Sequence, residues 1–122
     1  MEIKDLIIDD KDLGIFKVHR SAMTSPWLFE LEQQLVFDKC WLYLGHESEV
    51  AEPGDYRRRE VAGRPVFFAR GNDGQIRAFL NTCPHRGAMI CRRDEGSTDS
   101  FQCFYHAWTF NNQGDLVGLP DE

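Results

Sequence analysis

Leucines at 28, 31 and 35, followed by Val36, recur at intervals of three and four, with Glu30, Glu32, Gln33 and Gln34 between them. That spacing lays one apolar stripe along a helix. Ser25-Pro26 supplies the start, a side-chain acceptor at the N-cap and a proline at the first helical position. The pattern predicts one helix from about Pro26 to about Lys39. Upstream, Met1 to Thr24 shows little periodicity and reads as an extended arm. Downstream, the apolar positions fall into short runs broken by turn residues. Strands are expected at Trp41–Gly45, Asp55–Val61, Arg64–Ala69 and Gln75–Asn81. The last two flank Asn72-Asp73-Gly74, a strong hairpin signal. Further strands are expected at Phe101–Phe104, Trp108–Asn111 and, past Asn112-Gln113-Gly114, Asp115–Val117. Pro84 to Ser100 reads as loop. The sum is a mainly β chain, a small β sandwich or open barrel preceded by an arm and one helix. Residues 1–40 form the leader and 41–122 the β domain.

Composition narrows what such a domain does. The chain has 122 residues, 42% of them apolar, and a formal net charge of −6. One compact core is feasible. The acidic balance argues against nucleic acid as a partner. No apolar run approaches the length of a membrane span. The start, Met-Glu-Ile-Lys-Asp, lacks the basic-then-apolar order of a signal peptide. A cytoplasmic address is expected, and reducing conditions there turn the four cysteines, at 40, 83, 91 and 103, away from disulfides and toward metal.

The cysteines and histidines have metal spacing. Cys83-Pro84-His85 is followed, after seventeen residues, by Cys103-Phe104-Tyr105-His106. Each loop thus offers one thiolate and one imidazole. Zinc accepts two sulfurs and two nitrogens, but its usual motifs pair like ligands at wider gaps. Mixed pairs suit a two-iron cluster in which one iron takes both cysteines and the other both histidines. Cys40 is expected to pack as a small hydrophobe, and Cys91 is surplus to a complete set of four. Arg86, Arg92 and Arg93 read either as a docking patch for an acidic electron donor or as a solvated loop face. Phe104 and Tyr105 are expected to pack under the metal or to reach a sulfur, and Trp108 to cover it, to sit in the core at a strand start, or to do both. An oxygen-activating iron needs two histidines and a carboxylate. Only His19 and His46 remain, so no catalytic residue is assigned, and His46 reads as structural.

The stretch Cys83-Pro84-His85-Arg86-Gly87-Ala88 with Cys103-Phe104-Tyr105-His106-Ala107-Trp108 resembles the Rieske [2Fe–2S] domain of the large (α) subunit of aromatic-ring-hydroxylating dioxygenases. The likeness continues through Trp41–Glu49, Pro53–Tyr56, Arg77–Asn81 and Leu116–Pro120. It implies a cluster held by Cys83, His85, Cys103 and His106. It also implies electron transfer from a reductase or ferredoxin to a mononuclear Fe(II), which belongs to a catalytic domain not present in this chain. In the family that domain assembles as a trimer. The outward nitrogen of His106 would meet an aspartate beside the iron of a neighbouring subunit. Ala107 stands where the family usually has glycine; both are small, so little effect is expected. The loops resemble members acting on aryl carboxylates such as p-cumate. Two other readings stay open: a stand-alone Rieske ferredoxin, against which the forty-residue leader argues, and a zinc-stabilised interaction domain.

Overall fold

The computed structural model describes residues 2–120; Met1, Asp121 and Glu122 of the expected segments lie outside the described residues. The chain divides into two compact units, Met1–Trp41 and Leu42–Glu122. The described residues are mainly β, in open antiparallel sheets with one α-helix, and no sheet closes into a barrel.

In the first unit the expected featureless arm is instead a hairpin. Strands β1 (Ile7–Asp10) and β2 (Ile15–Val18) pair antiparallel. The Asp10 carboxylate accepts from the amides of Asp12 (3.1 Å) and Leu13 (2.9 Å), and Gly14 closes the turn at φ 65°. Asp and Gly at these places are a turn signal, masked in the sequence by strands too short to show alternation. Helix α1 (Pro26–Leu35) begins as expected, with Ser25 Oγ accepting from Leu28 N at 3.4 Å. It stops short of Lys39. Val36 caps it, and Phe37–Lys39 tightens into a 3-10 turn.

The second unit carries a four-stranded sheet, ordered β5-β4-β3-β6, and a three-stranded sheet, β7-β8-β9. The strands are β3 (Asp55–Val61), β4 (Arg64–Arg70), β5 (Ile76–Leu80), β6 (Glu95–Ser97), β7 (Ser100–Gln102), β8 (Thr109–Asn111) and β9 (Leu116–Gly118). All neighbours run antiparallel. Strand alternation sends Tyr56, Phe67, Ala69 and Phe79 to one face of the larger sheet. Phe101 of β7 packs against Tyr56 (centroids 5.2 Å) and Phe67 (4.9 Å), and Phe67 meets Phe79 at 5.2 Å. These rings, with Cys91 and Ile90, form the core that joins the two sheets.

Two expectations fail here. Trp41–Gly45 is extended but joins no sheet. Its end lies flat against β4, where a Cβ on Gly45 would come within 2.5 Å of the Phe68 ring. Residues 84–100 are not all loop: β6 adds to the edge of β3, and Arg57 pairs with Glu95 across that ladder. A three-residue strand holding Gly96 carries no alternation for sequence reading to detect.

The Asn72-Asp73-Gly74 hairpin forms as expected. Gly74 takes φ 82°, and Asp73 receives two bonds from Arg77, at 3.0 and 2.6 Å. Those bonds draw the Asp73 carboxyl down to about 2. A folded value below the unfolded one, about 3.9, gives stability that is complete above pH ~4 and is lost only as pH falls toward the folded value. Asp73→Asn is therefore expected to lower the thermal midpoint by the same amount at pH 5 and at pH 8. A calorimetric difference that changes between these two pH values would contradict the pairing.

Candidate metal centre

The two cysteine–histidine loops are built on one backbone frame used twice. The first follows β5. There Cys83 N donates to Ala88 O (2.7 Å) and Gly87 N donates to Cys83 O (2.7 Å). The second joins β7 to β8. There Cys103 N donates to Trp108 O (2.8 Å) and Ala107 N donates to Cys103 O (2.9 Å). In each loop the residue four after the cysteine is left-handed, Gly87 at φ 75° and Ala107 at φ 63°. That turn reverses the chain and gives cysteine and histidine the same arrangement in both loops.

The frame buries the two cysteines and brings the two histidines together. Cys83 and Cys103 are buried, at 3% and 2% exposure. The His85 and His106 rings meet edge to face with centroids 4.7 Å apart. His106 Nδ1 is buried and has no hydrogen-bond partner among the described residues. An orphaned buried nitrogen is costly unless something binds it, so it marks the place of a ligand. Burial, then the nearby His85 and Arg86 charges, push the His106 imidazole below its ordinary value. The shift favours the neutral form that a metal ligand must have.

The other candidates are placed differently. Cys40 is exposed, not packed. Cys91 sits in the aromatic core, where burial raises its thiol pKa and its Sγ lies 3.4 Å from Arg93 O. His19 and His46 each cap a 3-10 turn, with Nδ1 at 2.7 Å from Ser21 Oγ and 2.9 Å from Ser48 Oγ respectively. Phe104 and Tyr105 do not pack inward: they are 60% and 56% exposed. Two bulky rings in a four-residue turn have no room under a loop whose interior is taken by the cysteine. Trp108 stacks on His85, with centroids 4.5 Å apart and planes 13° from parallel.

Two residues that shape the site escaped the sequence reading. Asn81 is fully buried. Its Oδ1 accepts from Ile90 N (3.1 Å) and Cys91 N (2.7 Å), and its Nδ2 donates to Cys91 O (2.7 Å). One side chain thus closes the whole first loop. Arg58 holds the following segment, donating to Arg92 O (3.0 Å) and to Asp94 (2.5 Å). Neither residue type carries a sequence signal for such a role. Ala107 was read by its size, but backbone conformation is what the position demands.

Matched thiolate–imidazole loops on an antiparallel core define an iron–sulfur binding domain. The family model of the Rieske [2Fe–2S] domain matches residues 40–122, and the chain belongs to that family. It is 40% identical over 119 residues to the toluate 1,2-dioxygenase α subunit of Pseudomonas putida, covering 98% of this chain and 26% of that protein. It is 44% identical over 99 residues to the chlorobenzene dioxygenase α subunit of a Cupriavidus species, covering 81% and 22%. Among solved structures it resembles naphthalene 1,2-dioxygenase from a Rhodococcus species, at TM-score 0.81 and 40% identity over 84% of this chain and 23% of that one. The chain spans about a quarter of the length of these curated relatives.

The donor set fits the family's cluster: two buried cysteine thiols, and a buried imidazole nitrogen of His106 without a hydrogen-bond partner among the described residues.

The left-handed Ala107 yields a stability test. Relief of about 1–2 kcal/mol on removing its Cβ exceeds the added chain entropy of about 0.4–1 kcal/mol. Ala107→Gly is expected to stabilise the protein by roughly 0.5–1 kcal/mol. Gly87→Ala, whose new Cβ would meet no atom within 4 Å, is expected to destabilise it through the backbone alone. Chemical denaturation of both variants checks the pair of opposite signs.

Proposed function

We propose that this chain is the electron-carrying part of an aromatic-ring-hydroxylating dioxygenase α subunit, with residues 41–122 as its cluster domain and 1–40 as its leader. Cys83 and Cys103 hold one iron and His85 and His106 the other. When bound, the cluster supplies reversible one-electron storage. The chain's own residues do the rest: the two buried thiols exclude water from the sulfur side, and the two imidazoles reach the surface. Electrons enter from a reductase or ferredoxin. They leave past His106 toward a mononuclear iron in a catalytic domain, through an aspartate of a neighbouring subunit in a trimer.

One observation carries this reading over a stand-alone ferredoxin. The likeness to the toluate 1,2-dioxygenase α subunit runs through 98% of the chain, so it includes the first unit and not only the cluster domain. The same relative supports an aryl carboxylate as the substrate class of the complete oxygenase. Free thiols at 40, 83, 91 and 103 suit the reducing cytoplasm. No helix among the described residues is long and apolar enough to cross a membrane.

Purified with iron and sulfide, the chain is expected to hold about two irons and to take one electron from dithionite. His85→Ala and His106→Ala are each expected to abolish the Rieske electron-spin signal, while Cys91→Ser keeps it. The chain by itself is expected to hydroxylate no aromatic compound. A native spectrum from His106→Ala, or a cis-diol formed by the chain alone, would overturn the reading.

The potential follows from both loops. High-potential respiratory Rieske proteins resemble this chain at the ligands, but carry a disulfide cysteine in each loop and a serine that donates to a cluster sulfur. Ala88, Tyr105 and Trp108 stand at those positions. The Trp108 indole lies flat on His85. Fewer donors to sulfur disfavour the more negative reduced state. Voltammetry is expected to give a value in the lower part of the Rieske span, about −150 to 0 mV, and a value above about +200 mV would refute it.

A further inference from the structure

The two ligand loops touch each other through side chains that each lends to the other. Trp108 belongs to the second loop and stacks on His85 of the first. Arg92 follows the first loop and sets its guanidinium 4.4 Å from the ring centroid of Phe104 in the second. Phe104 lies between the second loop's cysteine and histidine.

The position of Arg92 is not left to chance. Its backbone is held from both sides: Cys91 is bonded to the Asn81 side chain, and Arg92 O accepts from Arg58. Its guanidinium has no carboxylate partner among the described residues, although Arg57, Arg58, Arg59 and Arg77 all do. A cation on an aromatic face, free of a competing anion, draws on the ring's quadrupole. Phe104, more than half exposed, gains its cover from this contact.

We propose that Arg92–Phe104 and Trp108–His85 form a crossed clasp that keeps the two ligand loops closed on the cluster, with Arg92 and Trp108 as positioning residues. The clasp rests on the ligand assignment above and extends it. Neither contact sets the fold, whose core lies between the sheets. Each opposes the parting of the loops, the motion by which a cluster held from two sides is lost. Trp108 has a second effect, because the plane of a ligating imidazole governs its overlap with the iron.

The test uses the cluster-loaded chain. Bleaching of the visible absorbance in chelator is followed for the parent and for Arg92→Ala, Phe104→Leu, the double variant and Phe104→Tyr. Arg92→Ala and Phe104→Leu are each expected to bleach about two- to fivefold faster, the size of an exposed cation–π contact. The double variant is expected to bleach no faster than either single one, and Phe104→Tyr, which keeps a ring, at the parent rate. Trp108→Leu is expected to shift the g-values of the reduced cluster, and Trp108→Phe, which can still stack, to retain them. A double variant whose acceleration is the product of the singles would overturn the clasp. So would Phe104→Tyr bleaching like Phe104→Leu, or unchanged g-values in Trp108→Leu. A parent chain that holds no cluster would instead overturn the ligand assignment, and the clasp with it.

Discussion

The hydrogen bond from each cysteine amide to the carbonyl five residues on is the constraint from which the site follows. Cys83 N–Ala88 O and Cys103 N–Trp108 O each close a short loop around a thiol. A loop that short reverses direction only if one residue turns left-handed, and that residue falls at Gly87 and at Ala107. Both cysteines then face inward and both histidines outward. The proposed assignment, in which one loop serves both irons, accords with this, since each loop carries a buried thiol and an imidazole nearer the surface.

The loops differ in how they are held. The second is short and sits between β7 and β8, so the sheet ladder fixes both of its ends. The first leaves β5 and does not rejoin a strand until β6. Side chains replace the missing ladder. Asn81 makes the bonds a neighbouring strand would make, to two amides and one carbonyl. Arg58 pins the next turn through Arg92 O and Asp94. Buried, fully satisfied polar groups of this kind fix one geometry, because any other leaves them unpaired in a dry interior. Cys91, with its backbone in that staple and its thiol in the aromatic core, ties the loop to the packing that joins the two sheets.

What the sequence revealed tracks the range of the interaction involved. The ligand spacing, the Ser25-Pro26 helix start and the Asn72-Asp73-Gly74 hairpin are local, and all were legible. Asp55–Val61 was also placed within its observed limits because its length let the strand pattern develop. The β1–β2 hairpin and β6 were missed because the arm shows no clear period and Glu95-Gly96-Ser97 carries no apolar residue. Trp41–Gly45 was misread for the opposite reason. It has strand composition, but Trp41, Leu42 and Tyr43 stay exposed and only its end, at Gly45, comes up against Phe68 of β4. The outward turn of Phe104 and Tyr105 was hidden because apolar character says nothing about direction within a four-residue loop.

The exposed rings follow from the task of such a site. Burying sulfur protects the cluster from water, but an electron crosses between proteins only if one side of the site lies near the surface. In the proposed assignment, the inward cysteines and outward histidines would divide these demands between the two irons. Surface aromatics on the histidine side then need support that the core cannot give, since the core lies behind the cysteines. Phe104 finds it in the Arg92 guanidinium, Tyr105 in the tilted ring of His106 at 3.9 Å between centroids, and His85 in Trp108. The exposed side of the centre is thus ordered by stacking between loop residues, and the buried side by the sheets.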